Sequence, residues 1–491
     1  MELKSILSGL EGLKVKGDLN LDITNIDSDS RNIKENGVFV AIKGFDVDGH
    51  NYIKEAIKRG AVAVIASVDA DKKLLKEIME HVTLILAPDT RLALAICACN
   101  FYDNPSRKFK LIGITGTKGK TTTSFMVKNI LEKAGKKVGL VGTIAVYIGS
   151  KKLEDSDRTT PESIRLQQIF NEMVKEQCDV VIMEVSSQSL KLNRVAGCDF
   201  DIGVFTNFSE DHISAKEHPN MQDYFESKLK LFDMCKKCIV NADDLQTSKI
   251  PKMLPDKEIS TYGIDNFCNL LAKDITITNS TVDYKVKIDN RNERVKIDIP
   301  GRFSVYNSLA AIAIVTRLGC GAEPIKSALL DIKVPGRSEL IPNKKDLNIM
   351  IDYAHSPESL ENILSAVKSY TKGRVISLFG CGGDRDATKR PKMGKNAEDL
   401  ADKVIITSDN PGNTQFMDIC NDILLGVSNA YVELIEDRES GKIYNVMLPE
   451  AEVPAFIESD EGLRSKPLGQ FYQHTIRNIN SDFKYKDLTL S

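Results

Sequence analysis

Residues Gly113–Ser124 read GITGTKGKTTTS. The apolar pair Leu111–Ile112 precedes them and a helical pattern, Phe125–Ala134, follows. Strand, glycine-rich turn and helix in that order are the context a phosphate-binding loop requires. Gly113, Gly116 and Gly119 permit a tight backbone path, because glycine tolerates positive φ and carries no Cβ to block a ligand. Successive N–H groups of this turn are expected to point inward as an anion nest, with the helix start adding positive potential. Lys120 is expected to reach the terminal phosphates of a nucleotide, and Thr121 to set its hydroxyl on Mg²⁺. The spacing departs from G-x-x-x-x-G-K-T at one place, Ile114, where the first glycine would stand. A plain turn with a chance Gly-Lys-Thr is the alternative; the flanking strand and helix favour the nucleotide.

At 491 residues the chain exceeds one core, and at about 150 residues per domain it predicts three. Hydrophobic content of 42% and charged content of 27% describe an ordinary globular composition. A net charge of −3 leaves no footprint for nucleic acid or an anionic membrane, so an anionic substrate needs a locally basic cleft. The ten cysteines are scattered. Cys235 and Cys238 form one Cys-x-x-Cys without a second pair at zinc spacing, so reduced buried thiols are expected. The N-terminal segment has interspersed charges and no apolar core, against a signal peptide. The longest apolar runs, Ala61–Val68 and Leu309–Val315, are too short for a membrane span. A cytoplasmic protein is expected.

In order, residues 1–107 alternate strands (Gly37–Ile42, Ala61–Ala66) with a helix (Tyr52–Arg59), an α/β pattern. Residues 108–333 hold the loop, then the strands Lys137–Gly142, Asp179–Met183 and Asp201–Phe205 and the helix Ser163–Gln177. Their continuous apolar runs predict a parallel sheet covered on both faces. Val282–Ile288 and Val295–Ile299 predict an antiparallel patch added to that sheet. Residues 334–491 repeat the alternation, with strands at Leu347–Asp352, Val375–Phe379 and Val404–Ser408 and a helix at Pro357–Ser369.

A triphosphate needs a divalent cation, and Mg²⁺ prefers hard oxygen ligands. Glu184 ends the strand DVVIM, where ligands bind in open α/β sheets; capping the next turn is its alternative role. Asp211 and His212 follow the next strand end and share that edge. Asp27–Arg31, Thr159–Thr160, Ser186–Ser187 and Arg194 supply hydroxyls and a guanidinium that suit a phosphate- and carboxylate-rich substrate, or else cap helices.

Ten motifs then stand together: DSR at 29–31, TGTKGKTTT at 115–123, TTP at 159–161, MEVSSQSLKLNR at 183–194, TNFSEDH at 206–212, PGRFSVYN at 300–307, PGRSE at 335–339, DYAHSP at 352–357, GCGGDRDATKRPKM at 380–393 and DNP at 409–411. Over roughly residues 20 to 438 the chain resembles the Mur ligases, ATP-dependent amide-forming enzymes of peptidoglycan synthesis. The likeness is greatest to the members that add the third residue of the stem peptide. The resemblance implies a three-domain α/β architecture: a UDP-sugar-binding domain at 1–107, a central P-loop parallel-sheet domain at 108–333, and a Rossmann-like C-terminal domain at 334–491 that closes on nucleotide. It implies that a substrate carboxylate attacks the γ-phosphate of ATP, and that an amino acid's amine then displaces phosphate from the acyl phosphate. It places ATP on Gly116, Thr117, Lys118, Gly119, Lys120, Thr121 and Thr122, with Asn307, Arg337, Asp352 and His355 at the base, phosphates and ribose. It places Mg²⁺ on Thr121, Glu184, His212 and Lys228, the last as a carbamate (N6-carboxylysine); a bare ammonium beside two Mg²⁺ would be repelled. Ser30, Thr159, Thr160, Ser186 and Arg194 would contact UDP-N-acetylmuramoyl-dipeptide, and Arg385, Asp409 and Asn410 the free amino acid.

The pattern breaks at three points. Gly412 follows Asp-Asn-Pro where enzymes adding meso-diaminopimelate carry arginine, so L-lysine, or another residue than meso-diaminopimelate, is expected. No Gly-Lys-Gly-His-Glu-like segment follows Arg438, and 448–483 match nothing in the family. Gln188 stands where many members have histidine. A ligase of another peptide pathway, or a non-catalytic nucleotide- and UDP-sugar-binding relative, are the alternatives. A monomer is expected.

Overall fold

A computed structural model describes residues 1–214, 217–278, 281–341, 348–383, 386–428, 432–436 and the backbone of 455–459. The chain forms two compact units. One comprises Met1–Lys120, Gly135–Glu154 and Arg158–Thr261; the other comprises Thr121–Ala134, Asp155–Asp157 and Tyr262–Ser491 in its described residues.

The first unit holds two sheets. The N-terminal sheet runs in the order Lys14–Lys16, Thr83–Ala87, Ala61–Ser67, Gly37–Val40, Asn25–Asp27. All its pairings are parallel except that of the edge strand Lys14–Lys16. Gly37–Val40 is buried along its whole length, as a strand covered on both faces must be.

The larger sheet is built around Lys110–Thr115 (β1), Val180–Glu184 (β2) and Phe200–Phe205 (β3). β1 lies between β2 and β3, with Val138–Val141 beyond β2 and Cys235–Asn241 beyond β3, all parallel. The chain thus leaves β1 for one side and later fills the other. Such a switch point opens a crevice at the carboxyl ends of the strands. Phe109, Phe170, Phe200, Phe205 and Phe232 lie in the core of this sheet and its helices.

The second unit carries the helix Arg302–Arg317 and a sheet in the order Glu339–Ile341, Asn348–Asp352, Ala455–Ser459, Val375–Phe379, Lys403–Thr407, Val432–Ile435. The segment that resisted sequence alignment therefore supplies a strand, Ala455–Ser459, parallel to both neighbours; 448–454 and 460–483 lie outside the described residues. The antiparallel strands differ from expectation. Val282–Ile288 stands between Lys273–Ile277 and Arg291–Ile297 and pairs antiparallel with both, in a separate sheet. Val282, Tyr284, Val286 and Ile288 are buried while Lys285 and Lys287 are exposed. A strand apolar on one face only suits such a sheet better than the core of a parallel one. Among the described residues no helix is long and apolar enough to cross a membrane.

Candidate active site

The loop after β1 enters the helix Lys120–Lys133 (α1). The helix starts five residues before the expected Phe125, so the threonines form its first turns. Gly116 has φ +143°, and a Cβ there would stand 2.0 Å from Thr206 Oγ1; only glycine fits. Behind the loop, the turn after β3 fastens it. Thr117 N–H donates to the Asn207 carbonyl at 3.0 Å, and Lys118 N–H to Asn207 Oδ1 at 2.8 Å. Thr206 Oγ1 and Asn207 Nδ2 both donate to the Lys118 carbonyl, at 2.7 and 3.0 Å. The N–H groups of Thr117 and Lys118 are thus both engaged by Asn207. The Thr117 hydroxyl accepts from Ser209 N–H at 3.1 Å and lies 3.3 Å from the Tyr224 hydroxyl.

Lys120 Nζ folds over the loop and donates to the carbonyls of Gly116 and Thr117 at 2.7 and 3.0 Å. A second ammonium shares this position. Lys228, on the helix Met221–Asp233 (α3), donates from Nζ to the same Gly116 carbonyl at 2.9 Å. It also lies 4.5 Å from the centre of the Tyr224 ring. Only 2% of Lys228 is exposed. Burial first, and then the positive charges of Lys120 and Lys118, hold its pKa well below the usual lysine range, while Asp211 opposes them. Lys118 Nζ pairs with Asp211 Oδ2 at 3.0 Å. His212 sits in the left-handed region at φ +59°, with Nδ1 2.9 Å from Glu217 Oε2.

Glu184 ends β2 opposite Ile114 of β1 and is wholly buried. Its Oε1 accepts from Thr143 N–H at 3.1 Å and its Oε2 from the Thr143 hydroxyl at 2.9 Å. A Cβ on Gly142 would approach Oε1 to 2.3 Å, so the carboxylate occupies room that glycine leaves. The substrate candidates gather beside it. Thr159 Oγ1 lies 3.1 Å from Thr143 Oγ1. The Thr160 hydroxyl donates to the Glu184 carbonyl at 2.9 Å and accepts from Ser186 N–H at 3.0 Å. Arg194 pairs with Glu162 at 2.8 Å, and its Nη1 lies 3.4 Å from the Thr160 carbonyl. Its buried Nε–H has no partner among the described residues. Burial lowers its pKa, against the pull of Glu162. Ser30 belongs to the N-terminal sheet's margin, in the turn Ser30–Asn32, and is buried.

In the second unit, Arg337 Nη2 lies 3.4 Å from Thr121 Oγ1, and the Arg337 guanidinium stacks 4.1 Å from the centre of the Tyr353 ring. Asp352 Oδ2 accepts from Ser338 N–H at 2.8 Å; burial raises its pKa against the nearby Arg337 charge. His355 Nδ1 lies 3.0 Å from the Tyr353 carbonyl. Thr122 and Asn307 are buried. Asp409 is buried as well, and the Asn410 carbonyl accepts from Gly383 N–H at 3.1 Å. Arg385 lies outside the described residues.

Four contributors escaped the sequence reading: Thr143, Asn207, His218 and Tyr224. Tyr224 stands four residues before Lys228 on α3, a spacing that puts both on one helix face and could have pointed to it. Among the described residues no three His, Cys, Asp or Glu side chains converge on a metal position.

Three family models match in succession: "Mur ligase family, catalytic domain" over residues 22–102, "Mur ligase middle domain" over 114–315 and "Mur ligase, glutamate ligase domain" over 336–446. The chain is 44% identical over 456 residues to the UDP-N-acetylmuramoyl-L-alanyl-D-glutamate–2,6-diaminopimelate ligase of Clostridium perfringens, covering 91% of this chain and 92% of that protein. The enzyme so named from Caldanaerobacter subterraneus subsp. tengcongensis is 44% identical over 447 residues, 90% of each chain. Among solved structures, a UDP-N-acetylmuramoyl-L-alanyl-D-glutamate–2,6-diaminopimelate ligase superposes with a TM-score of 0.66 at 23% identity, over 96% of this chain and 99% of that one. MurF from Acinetobacter baumannii gives 0.66 at 18% identity, over 94% and 96%. The looped lysine at the switch point, the buried carboxylate beside it and these matches along the chain lead to one assignment: the chain belongs to the Mur ligase family of ATP-dependent amide ligases.

Proposed function

We propose that the chain joins the amine of a 2,6-diamino acid to the D-glutamyl residue of UDP-N-acetylmuramoyl-L-alanyl-D-glutamate, using ATP in the cytoplasm, with domain boundaries near residues 107 and 333. The observation that carries this reading is the meeting of Lys120 and Lys228 on the Gly116 carbonyl, at the strand end next to Glu184.

The residues fit a magnesium nucleotide: a loop that requires glycine at 116, a lysine folded over it and a buried carboxylate beside it. Lys120 exchanges its loop carbonyls for γ-phosphate oxygens as nucleotide enters, a charge-assisted contact stronger than the one it leaves. Glu184, held on both oxygens by Thr143, is fixed before any ligand arrives. Glu184, His212, Thr121 and Lys228 would hold Mg²⁺, which supplies charge screening between the triphosphate and an incoming carboxylate. Burial and the neighbouring Lys120 charge lower the Lys228 pKa, which favours the neutral amine over the ammonium. A neutral amine takes up CO2, forming the N–C bond of a carbamate and releasing a proton, and so turns a repelled cation into an oxygen ligand. Arg194 has a buried N–H to spare for an anionic substrate, and Thr159, Thr160 and Ser186 adjoin it. The substrate carboxylate attacks the γ-phosphorus and ADP leaves. The amine then attacks the acyl phosphate, and inorganic phosphate leaves as the amide forms.

Two observations bear on the amine. Gly412 offers no guanidinium to a second carboxylate, which favours L-lysine. The relatives carry 2,6-diaminopimelate in their names, which lends no support to lysine. The shared 2,6-diamino skeleton is the reading we retain, and the relatives weigh toward diaminopimelate over a single position. Phosphate release with ATP, Mg²⁺, the UDP-dipeptide and each amino acid in turn tests it: meso-diaminopimelate or L-lysine is expected to lead the panel. A leading monoamino acid would overturn it.

A further inference from the structure

We propose that His218 is a positioning residue, tying the turn behind Glu184 to the start of the helix that carries Lys228. The inference deepens the ligase reading and rests on it. His218 is fully buried. Its Nδ1 lies 2.6 Å from Asp223 Oδ2 and its Nε2 2.9 Å from Ser187 Oγ. Ser187 opens the helix Ser187–Lys191 (α2), three residues after Glu184. Asp223 stands in the first turn of α3, five residues before Lys228. Lys191 closes the ring, donating to Asp223 Oδ2 at 2.8 Å and to the Glu217 carbonyl at 3.1 Å. Glu217 in turn holds His212 Nδ1 at 2.9 Å. The imidazole also lies 5.0 Å from the Tyr224 ring, the ring beside Lys228 Nζ. Glu184, His212 and Lys228 are each one link from His218: it bonds Ser187 three residues after Glu184 and Asp223 five residues before Lys228, and its chain neighbour Glu217 bonds His212.

Serine, histidine and aspartate in this order resemble a nucleophilic triad. Burial argues against hydrolysis: His218 has no exposed surface and Ser187 is only 5% exposed. What remains is geometric control. Displacing a reacting group by about 1 Å can cost on the order of a hundredfold in rate.

The test compares His218→Ala, His218→Gln, Ser187→Ala and the Ala/Ala double variant with the unaltered protein. It uses steady-state phosphate release, Mg²⁺ titration with a fluorescent ADP analogue, and circular dichroism. His218→Ala is expected to lower kcat by roughly ten- to a hundredfold and to raise the half-saturating Mg²⁺ concentration, with the KM for the amino acid changed by less than about twofold. Ser187→Ala should move kcat and Mg²⁺ in the same direction and less far. The double variant should be no worse than His218→Ala, as for groups acting as one unit. Glutamine, which keeps a polar atom near Ser187, should recover part of the loss. Folded variants with kcat and Mg²⁺ dependence unchanged, or two single losses that multiply, would overturn the proposal. If His218→Ala does not fold, Ser187→Ala and His218→Gln decide by the same criteria. Unaltered protein that ligates no amine would contradict the ligase reading instead, and the Mg²⁺–nucleotide arm would still decide the role of His218.

Discussion

At the scale of the residue, the site depends on where charge is buried. Lys228 has almost no exposed surface, and an unmodified ammonium there would face Lys120 across a shared carbonyl. Lys228→Ala is expected to lose activity by more than about a hundredfold, and added acetate to restore part of it by supplying the missing carboxylate. Full activity without acetate, read by phosphate release, would remove Lys228 from the chemistry. Gly142→Ala probes the neighbouring carboxylate. Its Cβ would stand 2.3 Å from Glu184 Oε1, so the carboxylate must shift. A fall in kcat of about ten- to a hundredfold is expected, with a lower melting temperature as the buried carboxylate is moved from its Thr143 donors; unchanged kcat would mean that the position of Glu184 is immaterial. Glu184 and His212 could be singled out in the sequence because each stands in a motif at a strand end, whereas Lys228 was suggested only by the family resemblance. Thr143 and His218 were not legible. Their roles come from partners 41 and 31 positions away in the chain, and such distances leave no local pattern.

At the scale of the element, the loop is shaped by its neighbour as much as by its own glycines. β1, turn and helix could be read from glycine spacing and apolar runs. The engagement of Thr117 and Lys118 with Asn207 could not, because a turn's N–H groups look alike in a sequence whichever way they point. Asn207→Ala removes two bonds to Lys118 and is expected to weaken nucleotide binding by about tenfold, which is about 1.4 kcal/mol, while leaving affinity for the UDP-dipeptide unchanged. Isothermal titration with ADP and with the UDP-dipeptide measures both; equal losses would point to general loosening. The antiparallel strands teach a related lesson. Alternating burial identified Val282–Ile288 as a strand, and strand character alone did not say which sheet it joins.

At the scale of the whole molecule, burial is expected to set the response to alkali. Cys97 is pushed up to about 12, and Cys178, Cys238 and Cys420 to about 11, by burial in each case. An unfolded thiol ionises near about 8.5, so above that pH the unfolded chain has lost protons that the native chain keeps. Stability is therefore complete below about pH 8.5 and falls as pH rises toward the native values, which a lower urea midpoint at about pH 10 than at about pH 7.5 would register. An unchanged midpoint would contradict it. The family and its α/β class were readable from the ten motifs. The strand Ala455–Ser459 was not, since five residues with only two strong apolar positions, Phe456 and Ile457, acquire meaning only from the strands on either side. The central claim is that ATP activates a carboxyl group of the UDP-dipeptide, and the most direct measurement follows an oxygen atom. With heavy oxygen in the glutamyl carboxylates, ATP, Mg²⁺ and a 2,6-diamino acid, mass spectrometry is expected to find a new amide together with inorganic phosphate carrying one heavy oxygen. An amide formed with unlabelled phosphate, or labelled substrate returned intact beside ATP, would contradict the account.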